Sequence, residues 1–315
     1  MKIIIGGGIS GLIFKFYNPE YKIVSSNVGG QMTNKIPLGP RILQVNEWNE
    51  RLLKDLGIEC NIKKARIGYF FKGKLHDFCP DEYRILYYMK SRCLANINEI
   101  PESVMSEGKN EILYYDVNFK DIIQKILSNI KICHLTVKQI KHDVISFFDV
   151  STRIKYEHIV STIPAPTFCM IYGNDIKEVK KYIDIRRQLR FLNKQFVLVD
   201  KKYVAEELGD FDYVYFPENK QPYNRITKVN DQLAVVEFTN VKKNKAPIFS
   251  DIKGYEYIDI GQIQGGVIQE PDKIMFLGRY AEWNHKIKTQ DIVKKSIEFR
   301  NNKGDENNDN RRQME

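Results

Sequence analysis

Six residues near the start, Gly6-Gly7-Gly8-Ile9-Ser10-Gly11, constrain the fold more than any other part of the chain. They lie between an apolar run, Lys2 to Ile5, and a stretch from Ser10 to Tyr17 that carries apolar residues at helical spacing. A second apolar run, Tyr21 to Ser25, follows. Strand, glycine turn, helix and strand in this order make a βαβ unit, and Gly6, Gly8 and Gly11 satisfy the G-x-G-x-x-G spacing of a dinucleotide-binding turn. Gly6 permits the tight turn, Gly8 lets the backbone approach a pyrophosphate, and Gly11 lets the helix pack closely on the strand. The backbone of Ile9, Ser10 and Gly11 then opens a helix whose first N–H groups and field favour phosphate. A glycine-rich turn without a ligand is the competing reading.

Composition narrows the class. The chain has 315 residues, 43% hydrophobic and 12% aromatic, which suits one large or two interleaved domains and is too apolar for disorder. No run approaches the ~20 apolar residues of a membrane span, and Met1-Lys2 leads directly into a strand, so a soluble, unprocessed protein is expected. Cys60, Cys79, Cys93, Cys133 and Cys169 lie far apart with no C-x-x-C spacing, which indicates neither a zinc site nor disulfides and fits a reducing cytoplasm. The formal net charge of +9 is scattered along the chain with no dense basic block, so nucleic acid is not indicated. It points to an anionic ligand or substrate, or simply to a lysine-rich solvated surface. The five histidines are isolated, so no metal site is expected; His285 is the one beside a motif.

Further elements follow the same reasoning. Asn46 to Leu56 predicts a capped helix stopped by Gly57, Arg66 to Phe71 with Lys74 to Phe78 a hairpin turning at Gly73, and Pro80 to Arg92 a helix. Asn118 to Ser128 is amphipathic, and Ile132 to Leu135, Val137 to His142, Val144 to Val150 and His158 to Thr162 read as strands. Between Phe191 and Phe238 several β-rich stretches suit an antiparallel sheet. Lys273 to Leu277 is a last strand, Thr289 caps a final helix to about Arg300, and the Asn-rich residues beyond it read as a frayed tail.

The second strand of a dinucleotide fold ends in Asp or Glu to hold the adenosine ribose, whereas this one ends Val24-Ser25-Ser26, leaving only serine hydroxyls for that task. Gly29-Gly30-Gln31 follows, and a double glycine there marks FAD binding rather than NAD. With these segments the chain resembles the superfamily of flavin amine oxidases, protoporphyrinogen oxidase and UDP-galactopyranose mutase. Leu38-Gly39-Pro40-Arg41-Ile42 is similar to the segment that lines the flavin in those proteins, several of which have histidine in place of Arg41. His134 to Ile140 resembles the strand leading to the adenine site, where the resemblance implies a backbone contact at Val137. Val160-Ser161-Thr162-Ile163-Pro164 resembles the V-x-T-x-P strand end at which the chain leaves the cofactor domain, with Pro164 as a hinge. Gly278-Arg279-Tyr280-Ala281-Glu282-Trp283 is similar to the family's G-R-x-A-x-[YW] segment. The resemblance implies that Gly278, Arg279 and Trp283 meet FAD, and that the backbone from Lys288 and Thr289 to Gln290 faces the flavin pyrimidine ring.

Pro222-Tyr223-Asn224-Arg225-Ile226 with Tyr255 and Tyr257 looks most like the mutase branch, where such residues hold a nucleotide-sugar diphosphate. Tyr215, Tyr223, Tyr255 and Tyr257 also read as ordinary sheet aromatics, and Arg225 in a strand must find an anion or a carboxylate. Against the mutase branch, the chain is short of that branch's large helical substrate module. Cys169 reads as a buried inert thiol, and no serine or cysteine nucleophile with a base is visible. The expected fold is α/β, a discontinuous Rossmann-like FAD-binding domain (1–60, 112–165 and 265–301) with a smaller β-rich substrate domain (61–111 and 166–264) and a flexible tail, 302–315. The expected activity is FAD-dependent hydride transfer from a small, anionic substrate, with Arg41, Arg225, Tyr223, Tyr255 and Tyr257 at the substrate. Isomerisation by reduced FAD, and a non-catalytic flavin-binding partner, are the alternatives.

Overall fold

The computed structural model describes residues 1–33, 42–94, 110–239 and 256–312, with the backbone alone at 256–261 and 303–312. The chain opens with β1 (Lys2–Gly8), α1 (Ile9–Tyr17) and β2 (Lys22–Gly29). Ile3 to Gly7 of β1 are all buried, as a parallel strand covered on both faces must be. A two-residue β3 (Leu43–Gln44) leads to α2 (Glu47–Leu56). That helix starts where the Asn46 side chain accepts the Asn49 N–H at 3.0 Å and stops at Gly57, where φ is +63°. Next come the hairpin β4 (Ile62–Phe71) and β5 (Lys74–His76), then α3 (Asp81–Arg92), β6 (Glu111–Tyr115) and α4 (Phe119–Leu127). Five short strands follow, β7 (Ile132–Cys133), β8 (Val137–Lys141), β9 (Val144–Phe147), β10 (Arg153–Lys155) and β11 (His158–Ser161). They precede α5 (Ala165–Ile171), α6 (Ile176–Gln188) and β12 (Arg190–Asp200). The remainder is α7 (Ala205–Leu208), β13 (Tyr213–Tyr215), β14 (Tyr223–Lys228), β15 (Leu233–Thr239), β16 (Glu256–Gly265), β17 (Ile274–Phe276) and α8 (Thr289–Arg312).

Strands β17-β11-β1-β2-β7 form a wholly parallel sheet. The pleat of β1 divides its side chains between two cores. Ile4 joins Leu12, Leu53, Ile122 and Val293 beneath α1, α2, α4 and α8, whereas Ile3 and Ile5 join Ile145, Phe168 and Tyr182 beneath the β8-β9-β10 meander, α5 and α6. This is a Rossmann-like α/β layer.

The larger sheet runs β16-β12-β15-β14-β13-β4-β6-β3, with β5 on β4. Sequence periodicity predicts antiparallel pairing here, and the sheet departs from it at one seam, where β13 lies parallel to β4. The two strands come from distant segments, so no hairpin fixes their relative direction. Strands β3 and β6, drawn from segments expected beside the cofactor, pair with each other, and β6 also pairs with β4. A two-residue strand such as β3 leaves no readable alternation. The α8 backbone is helical through Arg312, past the expected end near Arg300, although Asn301 to Arg312 contain no apolar residue.

Helix α3 is fastened across the large sheet, where Thr239 and Gln264 donate to the carbonyls of Ser91 and Arg92 and one lysine makes four bonds. Lys90 Nζ donates to the carbonyls of Phe216, Glu218, Gln221 and Tyr223 at 2.9, 2.7, 2.8 and 2.8 Å, more acceptors than an ammonium has protons. Lys90→Met keeps the stem and leaves those carbonyls without their donor. It is expected to lower the unfolding free energy by about 2–3 kcal/mol in a denaturant titration. An unchanged midpoint would mean that the loop satisfies its carbonyls without Lys90.

Candidate functional site

The glycine turn is set by contacts that allow no side chain. Gly6 has φ +109°, and a Cβ on Gly11 would lie 2.2 Å from the Gly6 carbonyl oxygen, so α1 sits directly on the end of β1. Gly8 differs: a Cβ there would meet nothing within 4 Å, and as N-cap of α1 it makes no side-chain capping bond. The first turn of α1 therefore opens onto free space that a phosphate can approach. Thr162 braces the turn from behind, its N–H donating to Ile5 O at 2.8 Å and its hydroxyl lying 3.1 and 3.0 Å from the carbonyls of Ile5 and Gly6.

Three further segments reach this turn. Gly29 and Gly30, with φ +84° and +55°, lead β2 back so that a Cβ on Gly30 would lie 3.4 Å from Gly8 Cα, and Gln31 follows in a single tight turn. Gly278, φ +103°, approaches so closely that a Cβ would lie 2.5 Å from Ser10 Oγ. Its N–H donates to Glu282 Oε1 at 2.9 Å. Pro164 opens α5, and the next residue, Ala165, donates its N–H to Tyr280 O at 2.8 Å. Val137 opens β8 opposite Phe147 and packs in the apolar cluster that holds Val24 of β2.

Other sequence-predicted residues are placed differently. Ser25 is occupied by the turn itself, accepting the Gly7 N–H at 2.8 Å and donating to Asn27 O at 2.5 Å, while Ser26 is exposed. The reason is that β2 continues past the serines, pairing with β1 as far as Gly8 and Gly29 across a bulge between Ile5 and Gly7. The buried indole of Trp283 donates to Gly265 O at 2.8 Å, toward β16. At the start of α8 it is Asp291 that closes the turn, accepting the Lys288 N–H at 2.8 Å, with Thr289 as the first helical residue. Gly39, Pro40, Arg41 and Tyr255 lie outside the described residues, and of Tyr257 only the pairing of its backbone with Val197 is described.

Tyr223 and Arg225, expected side by side at a substrate, point to opposite faces of β14. A bulge at Asn224 lets Tyr223 pair with Phe238 and Arg225 with Glu237, which removes the alternation that would put them together. Tyr223 enters the apolar core with Phe216 and Phe238, and its hydroxyl donates to Glu207 Oε1 at 3.4 Å. Arg225 finds a carboxylate, Glu237, which also pairs with Lys194 of β12. Burial alone would push Glu237 up, but Arg225 and Lys194 together hold its carboxyl below the ordinary range. Tyr215 lies under the Arg225 guanidinium, 5.8 Å from it, and meets Tyr87 edge-on at 4.9 Å.

Around this triad the charge balance is positive. Arg279 is half-buried, donates Nε–H to Ile287 O at 3.1 Å, and forms no ion pair among the described residues. Arg92 stacks its guanidinium 4.7 Å over the Tyr88 ring and likewise has no ion pair among the described residues. Both act electrically on His285. Burial first, and then the charges of Arg279, Arg92 and Lys194, push its imidazole down to about 3, with Glu237 opposing. His285 is thus neutral at neutral pH and resists protonation. Sequence reading overlooks Arg92, Lys194 and Glu237. The usable signal is a lone charge inside a buried run, Lys194 before Phe196 to Val199 and Glu237 within Leu233 to Phe238, since a buried charge requires a partner.

The depressed His285 gives a pH dependence with a definite sign. Unfolded histidine titrates near ~6.5, so below that pH the unfolded chain binds a proton that the folded chain refuses until about 3. Stability is present above the upper value and lost as pH falls through this window. Going from pH 7 to pH 5 should cost the wild type about 1–2 kcal/mol more than His285→Gln in urea titrations. Equal losses would place His285 in a solvated setting.

No protein-family model matches the sequence, and no curated protein is similar to it by sequence. Solved structures do match. Reduced UDP-galactopyranose mutase aligns over 92% of this chain and 92% of its own at 12% identity, with a TM-score of 0.67. A fatty acid isomerase from P. acnes aligns over 94% of this chain and 97% of its own at 12% identity, TM-score 0.63. Putrescine oxidase bound to putrescine aligns over 95% and 98% at 9% identity, TM-score 0.60. At such identities the likeness speaks for the fold alone, and the fold shared with these structures is the one described above, a parallel Rossmann-like α/β layer joined to a larger mixed sheet.

Proposed function

We propose that the protein binds FAD without covalent attachment and is an oxidoreductase that takes hydride from a small anionic substrate. The observation that carries the substrate class is the surplus of half-buried positive charge around neutral His285, reached from the same Gly278-Arg279 segment that abuts the glycine turn. The cofactor reading is supported by the open first turn of α1, where a side chain at Gly8 would project into the space a pyrophosphate needs. Gly8, Ile9, Ser10 and Gly11 would hold the phosphates, with Gly30, Gly278 and Arg279 beside them. The backbone from Lys288 to Gln290 would face the flavin. Bound there, FAD supplies a hydride acceptor at N5 or, when reduced, a nucleophile.

The chain's own residues then divide the work. Arg92 and Arg279 hold the anionic group, because Arg225 and Lys194 are already committed to Glu237. His285, kept neutral by burial and the nearby cations, would offer the substrate an uncharged hydrogen-bonding group. Residues 1–60, 112–165 and 265–301 are assigned to cofactor binding and 61–111 and 166–264 to the substrate, with β3 and β6 siding with the substrate sheet. Dispersed cysteines with no C-x-x-C spacing fit a cytoplasmic setting.

A second reading, isomerisation of a nucleotide sugar by reduced FAD, gains from the alignment with the mutase over 92% of that chain, which removes shortness as an argument against it. The same cations would stabilise negative charge in either scheme.

Purified protein is expected to carry FAD released by heating, and Gly8→Val to lower retention at least about tenfold by blocking the approach to the helix N-terminus. A variant that retains FAD normally would overturn the assigned phosphate site. To separate the reactions, oxidised holoprotein is mixed anaerobically with amines, amino acids and nucleotide sugars while absorbance near the flavin band is followed. Bleaching in a single turnover is the expected result. Product formed only after dithionite would favour the isomerase, and inertness in both redox states would leave a flavin-stabilised partner protein.

A further inference from the structure

We propose that α6 is a docking helix for an anionic phospholipid surface. Its buried side is made by Tyr182, which packs with Phe168 and Tyr172. A second apolar strip lies roughly a quarter-turn round the helix from Tyr182. Ile176, Val179 and Ile183 stand at spacings of three and four residues and are 76%, 36% and 40% exposed, so they form one apolar stripe facing outward. Met170, 59% exposed, lies in the last turn of the preceding helix, and Val267, 76% exposed, follows Gly266, which is seated against Gln188 and Leu189 at the far end of α6.

The residues bordering the stripe decide what covers it. Lys180 and Arg187 lie along one edge and Arg186 along the other, all exposed, with Lys177 and Lys181 farther round. The acidic residues of the helix are engaged locally: Glu178 accepts the Asn174 N–H at 2.9 Å, and Asp184 pairs with Arg187 at 3.1 Å. A second copy of the chain laid on this face would bring these basic edges together, which like-charge repulsion opposes. An exposed apolar stripe flanked by Lys and Arg is suited to lie in the headgroup plane of an anionic bilayer, the apolar residues entering and the cations meeting phosphate. This reading is independent of the flavin chemistry.

The test is co-sedimentation of the full chain with vesicles of phosphatidylcholine alone and of phosphatidylcholine with about 30% phosphatidylserine. Binding to the anionic vesicles is expected, weakening as salt is raised. The double variants Ile176→Asp/Ile183→Asp and Lys180→Glu/Arg187→Glu should each lose about tenfold or more, while Ile62→Asp, which removes an exposed apolar residue on β4, should bind as wild type. Should the first double variant fail to fold, Ile176→Gln alone, checked by circular dichroism, replaces it. No binding, equal binding to both vesicles, or α6 variants that bind like wild type would overturn the proposal. So would a concentration-dependent dimer abolished by the Ile176 change, which would identify a second copy as the occupant.

Discussion

The contact on which most of the architecture depends is the seating of α1 on the end of β1, where the Gly6 carbonyl comes too near Gly11 for any side chain to intervene. Because the helix starts so close to the strand, its first turn is presented outward at a fixed place, and each neighbouring segment is positioned by reference to it. Thr162 grips the turn from β11, Gly278 abuts Ser10 from beyond β17, and Gly30 comes against Gly8 from beyond β2. Each of these approaches is made with a backbone or a short side chain, so the rim of the site consists largely of peptide groups. Peptide N–H groups and a helix end are the donors best suited to a phosphate, because they cannot rotate away.

The second organising feature is electrostatic. Lys194, Glu237 and Arg225 place two cations on one carboxylate inside the large sheet. Such a cluster is a poor source of stability, since desolvating three charges consumes most of what their attraction returns. What it supplies is geometry: Arg225 is held over Tyr215, which Tyr87 meets edge-on, and Arg92 and Arg279, without an ion pair among the described residues, are left to act on His285.

Much of the fold could be read in the chain because it is written in local signals. The glycine turn, the Asn46 and Gly57 ends of α2, the amphipathic α4 and the buried strand near Phe276 each depend on a few adjacent residues. The parallel seam between β13 and β4 was not legible, because pairing across more than a hundred residues leaves no local trace. At the site the glycines are where their spacing puts them, whereas Ser25, Tyr223 and Trp283 are turned to other partners. For Tyr223 the cause is a bulge, one extra residue that inverts the alternation on which strand reading depends, and for Ser25 it is a two-residue irregularity in the register of β2 against β1. The charged triad is assembled from β12, β14 and β15, so it exists only in three dimensions.

The fastening of α8 to α2 has a temporal meaning. Asn46 Nδ2 donates to Gln290 Oε1 at 2.9 Å and Lys288 Nζ reaches Gln44 Oε1 at 3.3 Å, while β1 is flanked by β11, from far along the chain, and beyond it β17. The residues of β1 thus acquire their final neighbours only once β11 and the segment around Val293 are present. During synthesis the glycine turn and the apolar faces of β1 wait unpaired for partners more than 150 residues downstream, a high contact order that slows folding and exposes sticky surface. A fragment ending before Leu277 would have the glycine loop but not Gly278, which closes against Ser10.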